Sequence, residues 1–312
     1  MKKKIINLLK LTAFTVLMAS ILLLLKQNGW ITTLFLSTSI QFCIGSLILG
    51  IFLLYLKKTR SATYSLIAAV LFSIQFLGYF FELDPKIIEF EIHQPKLKIA
   101  QFNVLNSNNS KTLTIKGIIA SNADVVSIQE TDKVWTDELK KSLKANYPFT
   151  VYFPSEQCCF GISMISKQPL LNADVTFHGG VPNIEADIFF DGQLTHVISS
   201  HTSSPISRKN LKARNQHLSA LKNHVAKLDS PTIIIGDFNT VPWDENMITL
   251  KEDAHLIDSR KSYTSTFPSY LGYAGIPIDY ILHTEEITCT KFKSIPIEGS
   301  DHMGIIGEYV IN

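Results

Sequence analysis

Residues 1–81 are apolar almost throughout. Residues 5–25 are interrupted only by Asn7, Lys10 and small polar side chains, and residues 30–56 and 61–81 carry no charge at all. Each run suffices for a helix across a bilayer, which takes roughly 20 residues. The pattern therefore predicts three membrane spans, with Lys10 snorkelling toward the nearer surface. A Lys-rich start also suits a signal peptide, but two further spans follow without a convincing small-x-small cleavage site, so the segment reads as an anchor.

After a connector at 82–95 punctuated by Pro85 and Pro95, the pattern changes to short β-rich runs separated by a few helical ones. Strands are expected at 97–104, 123–130, 149–153, 160–166, 184–190, 194–201, 232–235, 278–283, 287–292 and 303–311. Helices are expected at 111–120, 131–144, 208–228 and 243–250. The clearest is 208–228, where Leu211, Leu218, Leu221, Val225 and Leu228 form one stripe; its Lys, Arg, His and Asn residues read as a solvated face. Strands outnumber helices without strict alternation, which favours an α/β sandwich with helices covering stacked sheets. The expected catalytic domain spans residues 96–312.

Charge divides the chain at the same place. Residues 1–81 hold eight Lys and Arg and no Asp or Glu, leaving 21 basic against 27 acidic residues beyond Phe81, a net −6, together with all nine histidines. Lys2–Lys4 and the group Lys57, Lys58 and Arg60 mark cytoplasmic ends under the positive-inside rule, so three spans place the remainder outside the cytoplasm. This predicts a multi-pass protein of the cell (inner) membrane with a cytoplasmic N-terminus. An acidic domain is a poor partner for sequence-independent nucleic-acid binding, which rests on phosphate neutralisation by Lys and Arg.

Polar residues recur where the β-rich runs begin or end: Asn103, Glu130, His201, Asp237 with Asn239, Asp279, and Asp301 with His302. Each has an ordinary reading. Asp237 and Asn239 can form an Asx turn after the strand T-I-I-I, or, if the backbone stays extended, point toward one target. Glu130 can be a surface acid starting a helix, and His201 a hydrogen-bonded histidine at a strand end. Asp279, inside I-P-I-D-Y-I-L, needs a partner if ionised.

Taken together and in order, the segments Q-F-N-V, S-I-Q-E, H-x-x-x-P, I-I-G-D-F-N, I-D-Y-I-L and S-D-H resemble the endonuclease/exonuclease/phosphatase superfamily. So does the run from Phe160 to Leu170, similar to its G-x-x-x-x-S-[RK]-x-P-L segment. The N-terminus looks like that of the membrane-anchored bacterial branch. The resemblance implies a four-layer αββα sandwich with its site in the cleft at one end of the two sheets. It implies Mg²⁺, with Mn²⁺ as an alternative ion, held by Glu130 with Asn103 and Asp301, since Mg²⁺ demands hard oxygen ligands. Asp237 would orient or deprotonate the attacking water, and Asn239 would hold the phosphate. Asp279 would pair with His302, while His201 and His302 would stabilise the phosphorane or protonate the leaving oxygen. Which group is the base stays open. His201 stands where the abasic-site repair enzymes carry Tyr, and Pro277 where relatives often carry Arg.

The resulting expectation is a membrane-tethered, metal-dependent phosphohydrolase acting on a lipid-linked phosphate or, alternatively, an extracytoplasmic nuclease; a non-catalytic binding ectodomain is the rival of another class. Net charge favours the lipid and His201 the nucleic acid. Nothing calls for an obligate protein partner. A bridge from Cys158 or Cys159 to Cys289 is compatible with an oxidising compartment, and paired Cys or His spacing of the zinc-site kind is absent.

Overall fold

A computed structural model describes residues 2–25, 29–83, 95–155 and 160–312. The chain forms two compact units, one built on the N-terminal helices and one on the sheets.

The N-terminal unit contains α1 (Lys2–Leu25), α2 (Trp30–Ser37), α3 (Ser39–Tyr55) and α4 (Thr59–Glu82). Helices α1 and α4 are each long and apolar enough to cross a membrane. The expected second span differs: α2 and α3 are bent by 69° at Thr38, so the pair is either a broken span or a re-entrant loop. The sequence S-T-S supplies the cause. The hydroxyls of Ser37 and Thr38 donate to carbonyls four residues back and that of Ser39 to one three back, a pattern that competes with the helical ladder and bends it. Ala13, Leu53 and Ala62 pack inside this unit, while Leu8, Ile48, Ile51, Val70 and Phe81 stay exposed. The connector expected at 82–95 lies mostly outside the described residues.

The second unit is a sandwich of two six-stranded sheets. The first has the order β11 (Ile287–Pro296), β12 (Met303–Ile311), β1 (Leu97–Asn103), β2 (Val125–Gln129), β4 (Ile162–Ser166), β3 (Phe149–Phe153). The second runs β5 (Leu171–His178), β6 (Val181–Phe190), β7 (Gln193–His201), β8 (Thr232–Asp237), β10 (Asp279–His283), β9 (Ile257–Asp258). Period-two alternation sorts each strand between two cores. Ile99, Val125, Ile233, Ile235 and Ile281 face inward between the sheets. Ala100, Phe102, Val126 and Ile128 face outward onto α5 (Lys111–Ser121) and α6 (Lys133–Leu143). Ile198 and Ile234 face α7 (Arg208–Val225) and α8 (Glu245–Asp253). These three apolar layers make the four-layer αββα sandwich.

The structure departs from the sequence expectation in three places. Strand β5 was not foreseen because its exposed edge residues, Asn172, Ala173 and Asp174, carry no apolar alternation. The face of α7 expected to be solvated instead buries Arg214 and His217, which find polar partners beneath the helix. Cys289 is a free, buried thiol; Cys158 and Cys159 lie outside the described residues.

Candidate active site

The inner faces of the sandwich change from apolar to polar at one end. On β1, Ile99 is followed by inward-facing Gln101 and Asn103; on β8, Ile233 and Ile235 are followed by Asp237. Strand pairing sets His201 beside Asp237 and Asp237 beside Asp279, so three neighbouring strands present one row of ionisable groups. Gln101 reaches across between the sheets, its Nε2 donating to Asp279 Oδ1 at 2.7 Å and to Gln129 Oε1 at 2.9 Å.

Asn103 joins the two sheets. Its amide nitrogen donates to Asp237 Oδ2 at 3.0 Å and to Glu130 Oε1 at 3.1 Å, and its Oδ1 accepts from Leu105 N. So oriented, Asn103 offers donors to both carboxylates. Its carbonyl would face a cation beside Glu130 only with the amide turned over, a difference from the ligand role expected of it.

Glu130 sits just past β2 at φ 64°, a left-handed conformation rare outside glycine and asparagine. The turn is held because Thr131 N donates to Gly161 O, and a Cβ at Gly161 would collide with the Thr131 carbonyl. Gly161 begins the G-x-x-x-x-S segment, and its chemistry is that close approach. Strained backbone overdetermined by its neighbours is common at functional sites. Glu130 Oε2 accepts from Asn106 N at 3.1 Å.

His302 follows a turn in which Ser300 Oγ donates to Asn103 O at 2.7 Å and accepts from His302 N at 3.1 Å. The His302 ring lies against Phe267, with Nδ1 2.9 Å from Asp279 Oδ2 and Nε2 3.7 Å from Asp237 Oδ2. His201 Nε2 lies 3.6 Å from Asp237 Oδ2 on the other side. Asp279 is further fixed through its backbone: Thr266 Oγ1 accepts from Asp279 N, and the buried Arg260 guanidinium donates to Asp279 O. Arg260 also stacks 4.1 Å from the Tyr280 ring and pairs with Asp258.

Asn239 departs from the extended arrangement that would let it share a target with Asp237. Strand β8 ends at Asp237, and Asn239 has φ 48°. The turn between them is the Asx turn, with Asn239 N donating to Asp237 Oδ1 at 2.9 Å. Asn239 Nδ2 is committed to Thr202 O, and its own carbonyl accepts from Arg214.

Electrostatics follow from crowding acids out of water. Burial, then the charge of Asp279, pushes Asp237 up to about 8, against the opposing pull of His302. For His302 burial disfavours the cation, but Asp279 and Asp237 outweigh it and raise it to about 10. Burial also raises Asp301, with Glu130 and Asp279 adding repulsion. Asp301 Oδ1 is buried with no hydrogen-bond partner among the described residues. Four carboxylates thus face two imidazoles, a set that calls for a cation. Asp237, Asp279 and His302 bring ligand atoms within 4.8 Å of one another. The Asp279–His302 pair is already satisfied internally, whereas Asp301 Oδ1, an oxygen of the kind a hard divalent ion takes, is not.

The structure therefore brings together Asn103, Glu130, His201, Asp237, Asp279, Asp301 and His302, with Asn239 beside them. Sequence reasoning missed Gln101, Thr266, Arg260 and Arg214. Gln101 was legible, two positions before Asn103 on the same strand face; the two arginines and Thr266 come from loops and a helix that carry no local signal.

A comparison with curated protein sequences finds no significant match. Among solved structures, an endonuclease/exonuclease/phosphatase from Bacteroides vulgatus superimposes with a TM-score of 0.59 at 15% identity, covering 70% of this chain and 100% of that one. D. rerio TDP2 complexed with a single-strand DNA product gives 0.58 at 18% identity, covering 69% and 98%. The enzyme from Beutenbergia cavernae gives 0.57 at 18%, covering 70% and 72%. At these identities the likeness establishes the fold. In sequence, residues 100–302 match the Endonuclease/Exonuclease/phosphatase family, from β1 to His302 itself, and the chain belongs to that family of phosphoesterases.

Proposed function

We propose that this protein is a Mg²⁺-dependent phosphohydrolase that cleaves phosphate-ester bonds, tethered to the cell membrane by its N-terminal helices with the sandwich on the extracytoplasmic side. The observation that carries the reading is the continuous polar path Asp279–His302–Asp237–Asn103–Glu130, buried where the two sheets meet and half-buried at its Glu130 end.

Hydrolysis of an anionic ester needs an aligned water, a counter-charge and a proton for the leaving oxygen. Asp237 is the base: burial makes its carboxylate far more proton-hungry than an exposed one, and the Asx turn fixes one of its oxygens. As water attacks phosphorus, its proton passes to Asp237 while the ester P–O bond breaks. His302, held cationic by Asp279, supplies the counter-charge, and His201 or His302 protonates the departing oxygen. The divalent ion, held by Glu130 and Asp301, would neutralise the phosphate oxygens as their charge grows. Asn103 and the Asn239 turn position these groups.

Tethering rests on the apolar helices α1 and α4 of spanning length and their exposed apolar side chains, and the extracytoplasmic side requires the bent α2–α3 pair to make the third span between them. An anchored, net-acidic domain favours a lipid-linked phosphate at the bilayer surface over nucleic acid. The test is turnover by the full chain in nanodiscs, with Mg²⁺ or with chelator, on a polyprenyl phosphate, a short DNA and a bis-aryl phosphodiester. Mg²⁺-dependent hydrolysis of the lipid but not the DNA is expected. DNA cleavage instead makes the protein a tethered nuclease, and a well-folded chain inert toward all three overturns the reading.

A further inference from the structure

The outer face of the second sheet, beneath α7, carries a second cluster of ionisable side chains, and the catalytic groups of the inner face play no part in it. On β6, Ile184, Ala186 and Ile188 point into the inter-sheet core, so Glu185 and Asp187 point outward, beneath α7. Glu185 is only 6% exposed. Three histidines from three different elements close on it: His178 Nε2 at 2.7 Å from Oε1, His224 Nε2 at 2.9 Å and His196 Nε2 at 3.3 Å from Oε2. The face of the sheet separates this cluster from the active site: on β7, Val197 faces the inter-sheet core and His201 shares its parity, whereas Ile198 faces the helices and His196 shares its parity. His196 pairs with Thr232 at the start of β8 and His201 with Asp237 at its end, five positions or about 16 Å away.

We infer that His178, Glu185 and His224, completed by His196, form a zinc-binding site that ties α7 to the outer face of the second sheet.

Three features support the site. The ligand atoms of His178, Glu185 and His224 already lie within 4.8 Å of one another, and tetrahedral zinc with bonds of ~2.0–2.1 Å sets its donors about 3.4 Å apart. Second, one carboxylate can offset one imidazolium, yet three imidazoles surround Glu185 and the His178 and His224 rings are 4.7 Å apart. Neutral imidazoles turning their Nε2 lone pairs to a divalent cation remove that conflict. Third, His196 Nδ1 donates to Asp187 Oδ1 at 2.7 Å, and Asp187 accepts from Asn172 Nδ2. A carboxylate on the far nitrogen of a ligating histidine fixes the tautomer that leaves Nε2 free for metal. Histidine nitrogens with one carboxylate suit zinc, whereas the oxygen donors at the catalytic end suit Mg²⁺. The site has no motif because its ligands come from β5, β6, β7 and α7, at spacings that match no zinc signature.

The test uses the full chain in detergent, stripped with chelator and titrated with zinc, then with cobalt as a spectroscopic stand-in. One zinc per chain, with the intense visible absorption of tetrahedral cobalt, is expected in the wild type and in Asp301→Asn. Both should be lost in His178→Ala/His224→Ala. Asp187→Asn should weaken zinc binding by roughly 10- to 100-fold while leaving the ligands in place. His224, the most exposed of the three histidines at 33%, gives a variant that spares the core if the double variant fails to fold. Undiminished zinc binding by His224→Ala, zinc lost in Asp301→Asn instead, or no stoichiometric zinc in the wild type overturns the proposal.

Discussion

Asp279 and His302 meet at 2.9 Å, carboxylate to Nδ1, across the gap between the two sheets, and the same histidine turns its Nε2 toward Asp237. The pair is braced from behind by Gln101 on the free oxygen of Asp279, so the ring has one orientation available. Asp279→Asn keeps the shape but removes the charge that holds His302 protonated. We expect kcat to fall by about 10²–10⁴-fold, the usual range for disabling a positioned acid or base. The alkaline limb of the rate profile should move to lower pH, with the fold intact by circular dichroism. A profile that keeps its alkaline limb in place would show that His302 does not act as the acid.

Glu130→Gln tests the metal end. The amide keeps the hydrogen bond from Asn106 N but carries no charge, and it leaves Asp301 as the lone unpaired acid. The Mg²⁺ concentration giving half-maximal rate should rise at least tenfold, more than the change in substrate KM. An unaltered Mg²⁺ requirement, measured by titrating the ion against chelated enzyme, excludes Glu130 as a ligand.

What the sequence made legible follows from period two. A strand that ends in a polar residue announces itself, which is how Asn103, Asp237 and His302 stand out on an otherwise apolar background. The same rule could have caught Gln101, but it is silent about Arg260 and Arg214. A buried guanidinium contradicts the rule that Arg faces water, and its partners, Asp258 and Asp244, belong to none of the motif segments in sequence. The bend at Thr38 was hidden for another reason: hydropathy counts Ser and Thr as tolerable in a span and does not register that three in succession can turn their hydroxyls on the helix's own carbonyls. Asn239 shares a target with Asp237 only if the backbone stays extended two residues past β8; its positive φ makes it the end of a turn instead.

Arg214 lies 1% exposed beneath α7, clamped between Asp244 and the Asn239 carbonyl. It joins the helix to the turn that carries Asp237. Arg214→Met leaves Asp244 buried without its cation, a loss of about 3–5 kcal/mol for a broken buried pair. Differential scanning fluorimetry should register a clearly lower Tm. A wild-type Tm would mean that Asp244, which also caps α8 by accepting from Asn246 N, is satisfied without the arginine.

His217 sets an acid limit on stability. Burial, reinforced by the charges of His178 and His201, holds it down at about 3, against an ordinary value of 6.5. In the fold it is neutral, hydrogen-bonded to Asn183 Oδ1 and Ser200 Oγ. Between those two values the unfolded chain carries a proton that the folded chain refuses, so lowering pH favours unfolding. The contribution is complete above pH 6.5 and is lost as pH falls toward about 3, at up to about 1.4 kcal/mol per pH unit. His217→Gln retains a hydrogen-bonding group that does not titrate. Urea unfolding at pH 5 and pH 7 should therefore show a smaller difference for the variant than for the wild type. An equal difference in both proteins would show that His217 does not carry the acid sensitivity.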